Sequence, residues 1–457
     1  MSDDSSQPLI SDGSKHQQEE KIPLRESLFR YLGLLFICLI TFGSYYIYDI
    51  PGAFGANVLA PFYHTSTINY GILYSVYNFP NMIIVFFGGY FIDTLFGLRK
   101  GALIFCSLVM AGQIIFAISA STRLFWLAVI GRLIFGLGGE SLSVAQSTFC
   151  ASWFQGRPDI NLAFAITLGF SRIGSAVNFK TTPAIADHAN IPTAIWFGAI
   201  TCGISFVSCI VLILLDVYRG KKDKKEAVTN DPVKLTDITK FSGSVWLVCL
   251  AVVLFYIPLF VFVTNGTDFI QAKWPQISPS AANTLVSIPY YTAAPSPVIG
   301  FIIDKVGRNL SWMTFASVLM AVAHILLTFS SLTPYVAMII MGVGYACMAA
   351  SIWVTFPVLV PNIRLGTAYG LAFACQNAAV ALTTLIVDAI LQKTDNNWYY
   401  VEGIFIGCAL LGIMVHVILV LIDIKEKRIN VPSADMKQKV KEINKESKPI
   451  LDTSINQ

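Results

Sequence analysis

Charge is scarce in this chain. Of its 457 residues only 13% are Asp, Glu, Lys or Arg, about half the share of an ordinary soluble domain. With 55% of the residues hydrophobic, so little charge excludes a chain whose whole surface meets water. Metal and disulfide signals are missing too. The nine cysteines, at positions 38, 106, 150, 202, 209, 249, 347, 375 and 408, all lie in apolar runs, with no CxxC spacing and no Cys/His cluster. They read as small hydrophobes. The five histidines, at 16, 64, 188, 324 and 416, are dispersed, and no two carboxylates share a plausible cleft. No enzymatic activity, metal or cofactor is expected, and no nucleic-acid partner. The glycine-rich stretch from Gly131 to Gly139 follows no strand and contains no Gly-Lys-Ser/Thr, so it is not a nucleotide loop. Close helix packing explains it. No cleavable leader is expected: about thirty polar residues come first, and the first apolar run is long enough to span.

What the chain has is apolar runs of membrane length, about 20 residues or more each. Twelve can be placed, near 30–50, 69–94, 101–121, 124–153, 159–184 and 192–217, then near 244–271, 280–304, 310–331, 334–360, 367–391 and 398–424. The expected class is therefore an all-α polytopic membrane protein. Between the sets lies the one substantial polar segment inside the chain, with Arg219, Lys221, Lys222, Lys224 and Lys225. It divides the sequence into a tail (1–29), a six-helix bundle (30–218), a basic linker (219–243), a second six-helix bundle (244–425) and a second tail (426–457). If the N-terminus is cytoplasmic, Arg99, Lys100, Arg157, the linker cluster, Lys305, Arg308 and Arg364 all fall on the inner side. The outer loops then hold little beyond Arg123, Lys273 and Lys393. That asymmetry puts both termini in the cytoplasm.

The halves also resemble each other. Gly89-x-x-x-Asp93 ends the second run and Gly300-x-x-x-Asp304 the eighth, while Gly136-x-Gly138 lies in the fourth and Gly342-x-Gly344 in the tenth. The offsets are nearly equal, as a duplicated unit leaves them.

Gly300-x-x-x-Asp304-Lys305-x-Gly307-Arg308 resembles the loop signature of the major facilitator superfamily. That resemblance implies a major facilitator fold of two pseudo-symmetric bundles, with Asp304, Arg308 and their first-half counterpart Asp93 acting as a gate on the cytoplasmic side. The first copy departs from the pattern: Asp93 to Gly97 has one extra residue, and Thr94 stands where a basic residue is usual. Further stretches narrow the likeness. They are Gly43 to Asp49, Phe87 to Asp93, Gly131 to Leu142, Ser171-Arg172-Ile173-Gly174-Ser175, and Leu365 to Gly370 with Gln376-Asn377 beyond. From about residue 30 to 424 the chain is similar to the lysosomal dipeptide uniporters of that superfamily. The likeness implies passive export of dipeptides from lysosomal lumen to cytosol, and a glycosylated single-span lysosomal membrane protein as accessory partner.

Independently of any family, ionisable groups inside spans cost a few kcal/mol each and mark functional positions. Glu140 and Arg172 stand out. At about 1.5 Å per residue they lie at similar depth on successive spans. A purely structural ion pair is one explanation. The other is that they receive a zwitterion: Glu140 takes an ammonium, and Arg172 takes a carboxylate through its planar fork. Dipeptides carry both groups, and so do free amino acids. Gln376 and Asn377 are expected near mid-depth, as peptide-bond ligands or as helix-to-helix bonds. Tyr46, with Tyr48 and Asp49, reads as pocket wall, outer gate or interfacial belt. Trp353 reads as a wall on the inner side of the pocket or as packing. Arg132 reads as structural support or an outer gate.

In the polar N-terminal tail, Leu9-Ile10 behind Asp3-Asp4 resembles an acidic dileucine sorting signal. The alternatives to dipeptide uniport are a proton-coupled symporter of amino acids or organic anions, with Glu140 carrying the proton, and a solute receptor or scaffold that does not transport.

Overall fold

The computed structural model describes residues 28–222, 235–292, 294–432 and 435. The dileucine positions Leu9 and Ile10, much of the linker and most of the C-terminal tail lie outside these residues. Among the described residues all regular structure is helical. The first half contains α1 (Phe29–Tyr48), α2 (Ile50–Phe54), α3 (Ala56–Phe62), α4 (Thr67–Asn81), α5 (Ile84–Phe91), α6 (Gly97–Thr122), α7 (Phe125–Phe154), α8 (Ile160–His188) and α9 (Ile191–Lys222). The second half contains α10 (Gly243–Tyr256), α11 (Phe262–Lys273), α12 (Pro279–Thr292), α13 (Ser296–Val306), α14 (Asn309–Phe329), α15 (Pro334–Ser351), α16 (Leu365–Lys393) and α17 (Trp398–Glu426).

Among the described residues eleven helical stretches are long and apolar enough to cross a membrane. One of them, Ile84–Thr122, holds the end of one pass and all of the next. Gly97, at φ 68° and ψ 159°, turns the chain there. After it α6 runs back along α5, with Phe105 beside Gly88 and Gly101 beside Ile92. With α4 completing the second pass, the count is twelve.

Four passes expected as continuous helices are interrupted. The second breaks after Pro80, at Met82 and Ile83. The seventh passes from α10 to α11 through a π-helical turn, Ile257–Val261, containing Pro258. The eighth breaks between α12 and α13, where Pro295 precedes Ser296. The tenth leaves α15 for a 3-10 turn, Trp353–Val358, containing Pro357. Proline removes a donor and clashes with the carbonyl four residues back, which gives the irregular turns at Pro258, Pro295 and Pro357 a covalent cause. The loop after α1, read from sequence as connection, holds the short helices α2 and α3.

The repeated glycines do repeated work. Gly136 lets α7 approach Tyr77 of α4, and its counterpart Gly342 lets α15 approach Pro289 and Thr292 of α12. Gly138 meets the backbone of α6 at Phe105, and Gly344 that of α14 at Ala316. Any side chain there would collide with a neighbouring helix, the small-residue contact by which helices associate in lipid. Gly89 and Gly300 instead serve the seam between halves: Gly89 packs on Gly366 and Gly370 of α16, Gly300 on Asn161 and Ala165 of α8. Both contacts lie at the end of the bundle that carries Phe29 and Glu426, here called the terminal end.

Candidate functional site

The extra residue between Asp93 and Gly97 has a structural form: Ile92–Phe96 is a π-helical turn, whereas Asp304 lies in the regular α-helix α13. A π-turn absorbs one inserted residue without losing the helix. Both carboxylates consequently reach equivalent targets. Asp304 accepts hydrogen bonds from the backbone N–H of Asn161 (2.9 Å) and Leu162 (2.7 Å) and from the Asn161 side chain (2.9 Å), at the start of α8. Asp93 accepts from the N–H of Gly366 (3.1 Å) and Thr367 (2.6 Å) and from the Thr367 hydroxyl (2.7 Å), at the start of α16. Each acid thus caps a helix of the opposite half, supplying acceptors for orphan first-turn donors and a negative charge at the dipole's positive end. Gln155 adds a bond across the same seam, to the carbonyl of Pro357 (2.7 Å). Arg308 does not share this work. Its side chain is exposed, and its backbone N–H donates to Val431 in the segment after α17. The helix start satisfies the Asp304 carboxylate without a basic side chain.

Arg132 is fully buried and donates to the carbonyls of Ile47 (3.0 Å) and Tyr48 (3.1 Å), the last of α1, and of Leu73 in α4 (3.1 Å). Those α1 carbonyls have no partner within their own helix. The guanidinium sits among the rings of Tyr48, Tyr74, Tyr77 and Phe135, 5.1 to 5.7 Å from their centres. This geometry is that of a structural clamp inside the first half.

Glu140 on α7 and Arg172 on α8 are both half-buried. They are not paired with each other; each has separate partners. The Tyr77 hydroxyl donates to Glu140 Oε1 at 3.0 Å, and the Asn377 side chain of the opposite half faces the same carboxylate. Arg172 donates through Nε (3.2 Å) and Nη2 (2.7 Å) to the hydroxyl of Tyr345 on α15. Around its guanidinium stand Tyr45, Phe260, Tyr290 and Tyr345, with ring centres 5.3 to 5.9 Å away. Cation–π contacts of this kind stabilise a desolvated cation by about 0.5–2 kcal/mol each, without neutralising it. The π-turn at Pro258 brings Tyr256 and Phe260 to this group. Asp49, also half-buried, reaches Ser175 one turn beyond Arg172.

The remaining expected site residues divide. Asn377 joins the site through Glu140. Gln376 is buried, and its Oε1 makes no hydrogen bond among the described residues. Tyr46 is a correction: it is wholly buried, its hydroxyl bonds Thr181 (2.8 Å) and Thr182 (3.1 Å) of α8, and its ring packs on Phe197 of α9. Its neighbour Tyr45 faces Arg172 instead, one helical step of about 100° away. Trp353, 3% exposed, stacks on Phe373 at 4.6 Å and lies beside Tyr256. It forms a floor beneath the site, with Tyr256 and Tyr345 between it and Arg172.

Sequence reasoning missed Tyr45, Tyr77, Tyr290, Tyr345 and Phe260. The signal was indirect: a membrane-buried Arg needs acceptors or rings around it, and this chain has 18 tyrosines. Chemically the site offers an anion and a cation held apart, hydroxyls and an amide. Among the described residues no group of His, Cys, Asp and Glu could hold a metal ion.

A sequence model described as Major Facilitator Superfamily matches residues 34–384, with a second match over 275–451. A Danio rerio protein named lysosomal dipeptide transporter MFSD1 is 35% identical over 428 residues, covering 91% of this chain and 92% of that protein. The Homo sapiens protein of the same name is 36% identical over 407 residues, covering 86% of each. Among solved structures, a bacterial homologue of the iron transporter ferroportin in an outward-facing state superposes with a TM-score of 0.66 at 14% identity, covering 86% of this chain and 99% of that one. Twelve passes in two halves, capped across their seam by Asp93 and Asp304, together with these matches, make the chain a member of the major facilitator superfamily.

Proposed function

We propose that this protein carries dipeptides across the lysosomal membrane, from lumen to cytosol, by alternating access and without an obligatory coupling ion. One observation carries the reading: Glu140 and Arg172 are held apart, each by neutral partners of the protein. A buried ion pair loses most of its attraction to desolvation. Two separated charges of opposite sign instead suit a ligand that brings an ammonium to one and a carboxylate to the other. The names of the relatives in fish and man support the same substrate and compartment.

Both termini are cytoplasmic in this proposal, following the distribution of Lys and Arg. The capped terminal end is then the cytoplasmic end, and the described conformation is closed there. Release to the cytosol requires Asp93 and Asp304 to leave the starts of α16 and α8, so that the halves rock about the central site. A glycosylated single-span protein is the proposed accessory partner. Asn265-Gly266-Thr267 and Asn309-Leu310-Ser311 match the glycosylation sequon, but the first lies inside α11 and Asn309 is buried, so shielding of the lumenal face falls to another chain.

The test is uptake of a labelled dipeptide into liposomes containing the purified protein, with and without an imposed proton gradient. Saturable flux that needs no gradient supports uniport. Flux only with a gradient makes the protein a symporter, and binding with no flux makes it a receptor.

A further inference from the structure

On α8 the face that meets the second half runs through Ala165, which touches Gly300, and Gly169, which lies against Ser296 and Ala294. Past this point the same face loses its partner. Ile173 is 47% exposed, and Ala176 and Lys180 are exposed as well. Lys180 stands eleven residues beyond Gly169, about three turns, and so within roughly 20° of it around the helix. Its flanking residues face home: Phe179 lies against Gly52 of α2, while Thr181 and Thr182 bond Tyr46. Lys180 therefore lies on the face of α8 that the second half leaves uncovered, about 12 Å beyond Arg172 by helical rise.

The second half repeats this arrangement with the opposite sign. On α16, Gly370 packs against Val85 and Phe86, Asn377 reaches Glu140, and eleven residues further stands Asp388, also exposed. Lys180 and Asp388 are 208 residues apart, as are Gly169 and Asn377, within the spread of the internal repeat. Duplication has put a cation on one lip and an anion on the other. On each side the sign agrees with the charge deeper in: Lys180 is two turns beyond Arg172 on one helix, and Asp388 is three turns beyond the amide that touches Glu140.

We propose that Lys180 and Asp388 form an outer recruitment site that captures a zwitterionic solute in the orientation the central site requires, carboxylate toward α8 and ammonium toward α16. This rests on the zwitterion reading of Glu140 and Arg172 and adds a second, peripheral station to it. Charges on the walls of a cleft bounded by low-dielectric material focus the field and raise local solute concentration, and salt screens the effect.

The experiment is initial-rate uptake of a free-terminus dipeptide into liposomes at low and at physiological ionic strength. The proteins are wild type, K180Q, D388N and the charge-retaining controls K180R and D388E. Wild-type KM is expected to rise with salt. K180Q and D388N are each expected to raise KM at low salt about 3- to 10-fold, with maximal rate within about twofold and a flattened salt response; the controls keep wild-type KM. An N-acetylated dipeptide, lacking the ammonium, should feel K180Q but not D388N. Wild-type flux whose KM ignores salt, or variants whose KM matches wild type, overturns the recruitment site alone. Absence of wild-type flux overturns both it and the transport reading.

Discussion

Asp93 and Asp304, 211 residues apart in the chain, each cap the first turn of a helix from the opposite half. They close one end of the protein through six hydrogen bonds, four of them from backbone N–H groups that no side-chain substitution can remove. The donors remain in place, so the equilibrium between closed and open terminal ends hangs on the two acceptors. Losing a helix cap costs about 0.5–2 kcal/mol, and bonds to a charged group are worth about 1.5–3 kcal/mol. D93N and D304N are each expected to shift the population toward the open terminal end by about 5- to 30-fold. Gln155 bridges the same seam, so a Q155C background labelled with a hydrophilic maleimide reads the change as a faster reaction. Equal labelling rates in all three proteins would mean that the caps do not hold the seam. R308A, lacking a role in the cap, should leave the rate near the parent's.

The proposed transport role of the two central charges predicts different losses for each. E140Q keeps the shape and the Tyr77 bond but loses the charge offered to an ammonium. R172K keeps a charge but loses the planar fork and the fit among four rings. Both are expected to reduce dipeptide uptake at least tenfold at protein levels near wild type. Y345F is the finer probe. Its hydroxyl accepts both Arg172 bonds, so its loss frees the guanidinium and changes KM severalfold without abolishing flux. Full transport by E140Q and R172K would remove the pair from the solute path.

Much of this could be read from residue spacing alone, and the gaps follow a rule. Helix number, the halves, the repeated glycines and the depth of Glu140 and Arg172 are written in periodicity and composition, which one sequence displays directly. The breaks at Pro80, Pro258 and Pro357 were legible too, had proline been weighted above apolarity. What periodicity does not carry is azimuth to within one residue. Tyr45 and Tyr46 are equally aromatic and adjacent, yet one faces Arg172 and the other is sealed against α8 and α9. The same limit separates Asn377 from Gln376. Nor does a local motif tell what a group binds far away: Asp304 stands beside Lys305 and Arg308 in the chain, while its partners begin α8, more than 140 residues earlier.

Arg132 illustrates a membrane-buried charge with no solute to serve. It binds three carbonyls on two helices, those of Ile47 and Tyr48 at the end of α1 and that of Leu73 in α4. R132A removes every donor at once, and unpaired buried polar groups cost about 1–3 kcal/mol each. The expected result is a sharp loss of folded protein and of thermal stability in detergent. R132K, with one point of charge in place of a fork, should fall between. Residual R132K protein should keep a KM for dipeptide near wild type, since the side chain bonds neither Glu140 nor Arg172 and meets the site only at the ring of Tyr77. A raised KM at normal stability would assign Arg132 to the solute path instead.

His324 and Glu402 form a second buried polar pair that the chain's spacing does not advertise, one on α14 and the other on α17. His324 Nδ1 lies 2.8 Å from Glu402 Oε2, both residues are at most 1% exposed, and the rings of Phe262 and Phe405 enclose the imidazole. Thr328 adds a longer bond to the same oxygen (3.4 Å). No first-half residue takes part, so the pair belongs to packing within the second half. Removing one partner leaves the other buried without its hydrogen bond, at a cost of about 1–3 kcal/mol, whereas apolar replacement of both can be nearly neutral. H324L and E402L are therefore each expected to lower the thermal midpoint in detergent by several degrees, and H324L/E402L to recover most of that loss. The discriminating quantity is the coupling between the two substitutions, read from a double-mutant cycle. Additive losses, with the double variant the least stable of the three, would show that the two side chains contribute separately rather than as a unit.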